Sequence, residues 1–457
     1  MNINDSLQYL NTGLPDDIRN CQKIGNYTEA IRLVDYRLAQ KNLPQCMRNS
    51  LIAHREIFLR IMDDFPYTAE EMLTQIRAEL PDFTMEELQS LMDQGYIRWI
   101  YLNGEKRLFS RTLSSVRLSV PGMAKRMAGD KWVEVPVPML DASMNRMKEK
   151  GSMTCRIRIR ATTKLKDAQF TPGMFLRAHL PIPSACPQQS DIRIEKIWPE
   201  GGMIAPEDAG QRTICWEVNP SENPEFGVEY SYLHTAIYKD AYNGTGVPGT
   251  YDFDLQEQQP HIVFSPFIKD LCSELTAGIS DPLMKARAIY DFITLNMHYT
   301  YMPEYFVLEN IAESCARNYN GDCGVFALLM ITLCRCAGIP AQWQSGLAAN
   351  PESAGCHDWV KFYVEPYGWI YADPSFGVSA TRLQKEERRQ FYFGNLEPYR
   401  MVANREFQEN FTIPKEHWRA DPYDNQSGEI ETTDRGFRPE EYVRDQILIC
   451  CEDVTPE

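Results

Sequence analysis

At 457 residues the chain is longer than one ordinary core holds, so two to four domains are expected. Its 43% hydrophobic and 24% charged residues suit a soluble globular protein, and no apolar run approaches the ~20 residues of a membrane span. The net charge of −16 argues against nucleic acid and anionic membrane surfaces as partners, since both call for clustered Lys and Arg.

The start, Met1 to Ser6, lacks a basic region followed by an apolar stretch. That pattern predicts a cytoplasmic protein, unless an exported form has lost its leader. Thirteen scattered cysteines, several in apolar runs, read as reduced buried thiols rather than disulfide staples. Cys334 and Cys336 lie two apart on a predicted helix and point to different faces, and no Cys-x-x-Cys pair occurs. Neither a metal nor a cofactor is expected.

Residues 1–140 read as a helical domain. Within it, Thr68 to Glu71 and Thr84 to Glu87 are capping boxes that each open a short helix. Two short strands then flank Asn103-Gly104, a strong hairpin turn signal. Helix, helix and hairpin over 66–112 make a winged-helix-like unit. Its second helix carries Glu86, Glu87 and Asp93, so a packing role is expected instead of DNA binding. Residues 150–242 read as a β-sandwich, because Cys155, Ile157 and Ile159 alternate with Arg156, Arg158 and Arg160, and further strands follow at regular spacing. The arginine face is expected to be solvated or paired across strands. A Gly- and Pro-containing connector from Asn243 to Gly249 leads to a third unit, 255–457, ending in a C-terminal extension whose run Gln446 to Cys450 predicts a strand completing a sheet.

The third unit carries the chemistry. Cys323 lies in Asn320-Gly321-Asp322-Cys323-Gly324, ahead of an apolar run that closes at Ala337-Gly338-Ile339-Pro340. This predicts a buried helix with the cysteine in its first turn, where unpaired N–H groups and the helix dipole favour a thiolate. His357 opens a predicted strand, and after the turn Pro366-Tyr367-Gly368 a return strand ends at Asp373-Pro374. A nucleophile, a base and an orienting acid follow in the order Cys323, His357, Asp373. Cys356 is a rival nucleophile without a helix start to activate it. Asp322 and Asp358 are rival acids, each adjacent in sequence to a triad member and so expected to point elsewhere.

These motifs resemble the transglutaminase-like core of the papain-related superfamily, of the bacterial transglutaminase-like or cysteine peptidase type. The resemblance rests on Gly-x-Cys at a helix start, an Ala-Gly-Ile-Pro exit, His-x-Trp, and Gly-Trp followed by Asp-Pro. A preceding helix capped by Ser280-Asp281-Pro282 also fits. It implies an α+β multidomain protein whose core forms a covalent acyl-enzyme, a thioester at Cys323, on a protein or peptide substrate. Hydrolysis of peptide or isopeptide bonds is favoured over amine-accepting cross-linking. A non-catalytic binding scaffold on the same fold is the reading from a different class. The Cys323 backbone N–H is the expected first oxyanion donor, with Tyr299, Tyr301, Tyr305 and Asn320 all open as the second. A thiolate–imidazolium pair would place the thiol step below ~8.5 and the imidazole step above ~6.5. Oligomeric state is left open.

Overall fold

The computed structural model describes residues 7, 9–129 and 138–456; the reading of Met1 to Ser6 lies outside the described residues. The fold is α+β and built in several layers. Helices Asp16–Lys23, Tyr27–Leu38 and Gln45–Asp64 lead the chain, the second capped by Asn26, which accepts the Glu29 N–H. Both capping boxes form, at Thr68/Glu71 and Thr84/Glu87, and open helices Ala69–Glu79 and Met85–Asp93. Strands Trp99–Leu102 and Glu105–Leu108 turn on Asn103 and Gly104, both at positive φ. This unit has a core of its own, including Met72, Ile76, Phe83, Leu88 and Leu108. It runs past residue 112, because helices Thr112–Ser119 and Met123–Ala128 add Val116 and Met123 to that core. Gly25 ties the wing to the first helices. Its carbonyl accepts the Asn103 N–H at 2.7 Å, and a Cβ there would lie 1.9 Å from the Tyr101 carbonyl.

Two four-stranded sheets follow. In one, Ser152–Leu165 runs between Tyr442–Asp453 and Phe226–Ile237, with Gln189–Trp198 outside. In the other, Leu176–Pro181 runs between Glu429–Glu431 and Thr213–Val218, with Met203–Ile204 at the edge. Along Ser152–Leu165 the apolar residues Cys155, Ile157 and Ile159 are buried, while the arginines between them pair across strands. Arg158 and Arg160 reach Glu229, and Arg156 reaches Asp191. The C-terminal extension, assigned above to the catalytic unit, instead places its last two strands in these two sheets. They supply backbone partners to edges that would otherwise carry unpaired N–H and C=O groups.

The site sits on a third sheet, of five antiparallel strands ordered Phe393–Gly394, Gly368–Ala372, Ser353–Val364, Ala341–Asn350 and Arg400–Asn404. Helix Cys323–Cys336 packs on this sheet and is buried from Gly324 to Cys334, which is why its sequence is apolar on every side. Helices Pro282–Asn296 and Pro374–Arg382 pack beside it. No helix among the described residues is long and apolar enough to cross a membrane.

Candidate active site

Asp322 caps the buried helix, accepting the Val325 N–H at 3.2 Å and the Tyr305 hydroxyl at 2.5 Å, so Cys323 occupies the first helical position. The glycines around it are sterically required. A Cβ on Gly324 would meet the Tyr305 hydroxyl at 2.3 Å and both Trp343 and the Asp358 carboxyl at 2.8 Å, and one on Gly321 would meet Val325 at 2.5 Å.

His357 lies in strand Ser353–Val364, in register with Gly346 of the next strand. Asp373 ends the return strand and caps helix Pro374–Arg382, with Oδ1 accepting the Phe376 N–H at 2.8 Å. Its Oδ2 is 2.7 Å from His357 Nε2 and forms an ion pair with Arg400 Nη1 at 2.8 Å. Arg400 also pairs with Glu397 and packs over the Trp359 and Phe376 rings, while the His357 ring lies 4.5 Å from Phe376. Burial alone would raise the Asp373 carboxyl. The charges of His357 and Arg400 outweigh it and hold Asp373 below the usual carboxylate range.

The structure joins two of the three expected residues directly, His357 and Asp373. The third makes a different bond: Cys323 Sγ donates to Asp358 Oδ2 at 3.1 Å, and no hydrogen bond connects it to His357 among the described residues. The Asp358 backbone N–H also faces the sulfur. The thiol therefore sits beside the amide that immediately follows His357. Side chains alternate along a strand, so the imidazole and the Asp358 carboxyl leave that point on opposite faces. Asp358 does point away from His357, as its place next to it in the strand predicts, but Cys323 stands where it points.

The expected fall in the Cys323 pKa is reversed. Burial, then the carboxylates of Asp358 and Asp322, push the thiol well above its ordinary range, against the weaker pull of the helix start and the Asp358 N–H. Asp358 is itself pushed well up, by burial and by the neighbouring Asp424.

Cys323 and Asp358 open onto a cavity of about 670 Å³. Tyr299, Tyr301 and Tyr305 line it together with residues of the C-terminal segment 420–429, so the extension contributes to the wall of the cleft. Gln426 reaches across with its amide to the Asp358 and Asp424 carboxyls. Asn320 does not line this cavity; its amide donates to the Gly95 carbonyl at 3.1 Å, towards the winged unit. Tyr305 commits its hydroxyl to Asp322, whereas Tyr299 and Tyr301, the other tyrosines expected as candidates for the second oxyanion donor, also line the cavity. Cys356 is exposed, with its thiol pushed up to about 11. No cluster of three or more His, Cys, Asp or Glu able to hold a metal occurs among the described residues.

Residues 269–374 match the transglutaminase-like superfamily. Over 131 residues the chain is 26% identical to the uncharacterized protein YebA of Bacillus subtilis (strain 168), a match spanning 24% of this chain and 18% of that protein. Among solved structures, a protein of Cytophaga hutchinsonii provisionally named a cysteine protease is 16% identical. That match covers 67% of this chain and 92% of the other, at a TM-score of 0.43. The periplasmic domain of TgpA from Pseudomonas aeruginosa is 14% identical, over 55% of this chain and 96% of that one, at a TM-score of 0.28. The chain thus carries, over residues 269–374 and around the Cys323 helix, a domain of the transglutaminase-like superfamily.

Proposed function

We propose that the protein is a thiol-dependent acyl-transfer enzyme acting on amide bonds of a protein or peptide, with water as the favoured acceptor. Cys323 attacks the carbonyl and forms a thioester. Once the Cys323 sulfur leaves Asp358 and reaches the His357 side of the strand, His357 takes the thiol proton and returns it to the leaving nitrogen, and Asp373 holds the imidazole in the productive tautomer. The observation that carries this reading is a helix-start cysteine on an open cavity, one backbone amide away from a buried imidazole–carboxylate pair. The test is labelling by a thiol-directed acyl probe together with release of peptide fragments. Cys323→Ala should abolish both, and labelling that survives the substitution sinks the proposal. Incorporation of an added primary amine in place of water would move the activity to cross-linking.

One observation favours a non-catalytic binding scaffold instead: the thiol is pushed up and bonded to a carboxyl. Product release, measured beside protection of Cys323 from iodoacetamide, separates the two readings. An enzyme with bound substrate should protect Cys323 and turn over, whereas a scaffold shows protection alone.

A further inference from the structure

We propose that Asp358 controls the nucleophile: its carboxyl, bonded to the Cys323 sulfur, holds the thiol in the neutral form, and Cys323 becomes a thiolate once Asp358 carries a proton. The inference rests on Cys323 being the reactive thiol and adds a residue to the three described above.

The geometry is specific. Asp358 Oδ2 is 3.1 Å from Sγ, and Gln426 of the C-terminal segment binds the other carboxyl oxygen. Asp358 is 4% exposed and has no basic partner within ion-pair distance among the described residues, so its charge is balanced by no neighbouring cation. Two states of the pair compete. With Asp358 ionised, losing the thiol proton would leave two negative charges in contact in a buried site, and the proton stays on sulfur. With Asp358 protonated, its O–H donates to the sulfur and the thiol proton can leave to solvent through the cavity onto which both residues open. One proton moves in that step, no electrons are exchanged, and the sulfur keeps the electron pair it uses on the carbonyl.

The other groups facing the pair mostly tip it the same way. From the helix start comes Asp322, pushed up chiefly by burial; from the C-terminal segment come Asp424 and Asp421, the latter pushed up to about 7. The hydroxyls of Tyr299 and Tyr305 face the sulfur from upstream, and Cys356 and His357 flank Asp358 on its own strand. Against these, Arg111 and Arg444 line the cavity and Arg98 faces Asp322 from the winged unit.

The test is the pH dependence of iodoacetamide alkylation at Cys323, resolved from the other cysteines by peptide mass spectrometry. In the unaltered protein the midpoint should lie above the ~8.5 of a free cysteine. In Asp358→Asn it should fall by a unit or more, so that alkylation at pH 7.5 is about tenfold faster. A residue that only supported the fold would slow or scatter the reaction when changed, not accelerate it. A midpoint below ~8.5 in the unaltered protein overturns the proposal without any variant. So does an unshifted or upward-shifted midpoint in a natively folded Asp358→Asn. Alkylation needs no turnover, so the control residue can be scored even if Cys323→Ala were to show that the acyl-transfer reading is wrong.

Discussion

Asp373→Asn tests the buried imidazole–carboxylate pair most directly. Two hydrogen-bond donors and one cation converge on this carboxylate: the His357 ring N–H, the Phe376 backbone N–H, and the Arg400 guanidinium as its ion-pair partner. The side chain is fully buried, and so is that of Arg400. An amide offers one oxygen where the carboxylate offers two, so at least one donor must face an NH2 group whichever way the amide turns. An unsatisfied buried donor costs about 1–3 kcal/mol, and breaking a buried ion pair about 3–5 kcal/mol. Arg400 keeps Glu397, so about 3–5 kcal/mol for the substitution as a whole is the expectation at neutral pH.

The loss should depend on pH. Asp373 has a depressed folded-state pKa, so its charge contributes stability that is present above the unfolded value of ~3.9 and is lost as pH falls through the folded value. Urea unfolding at pH 7 and at pH 3 measures this. The gap between the two proteins should be full at pH 7 and shrink at pH 3, with the m-value unchanged. Turnover at pH 7 should fall by about 10⁴-fold, as for the corresponding change in a serine-protease triad, because the imidazole loses its orienting acceptor. A variant as stable as the unaltered protein at pH 7, or a gap that does not change with pH, would refute the reasoning.

Two further outcomes follow from the same geometry. Gly346→Ala should destabilise by about 3 kcal/mol and lower activity, because its Cβ would lie 2.0 Å from the Met401 carbonyl in the strand position opposite His357; a thermal midpoint equal to that of the unaltered protein contradicts this. Asp64 and Asp421, both pushed up to about 7 chiefly by burial, bind protons more tightly in the folded state, so their contribution is present below ~4 and lost as pH rises through about 7. The double variant Asp64→Asn, Asp421→Asn should therefore lose less stability between pH 5 and pH 8 than the unaltered protein, as read from urea midpoints.

Much of the fold was legible because it is written in short-range signals. Thr68 and Thr84 with their glutamates, Asn103-Gly104, and Asp322 ahead of an all-apolar run each specify a cap or a turn within a few residues. The period-two alternation around Arg158 likewise reports one buried face of a strand, and the pairing of those arginines with Glu229 and Asp191 followed the expected pattern. His357 and Asp373 could be matched because a hairpin holds them a short span apart.

What the sequence could not decide was long-range. Strand alternation alone says that His357 and Asp358 face opposite ways; only the docking of the Cys323 helix against that sheet selects which of them meets the sulfur. The thiol's raised pKa has the same origin, since it depends on carboxyls drawn from the helix start and the neighbouring strand, with Asp424 of the C-terminal segment acting on Asp358. The last strands join the sandwich for a related reason. Without Tyr442–Asp453, Ser152–Leu165 would be an edge strand in need of a backbone partner, and any extended segment can provide one, so that choice is made by the packed tertiary structure and not by the segment itself.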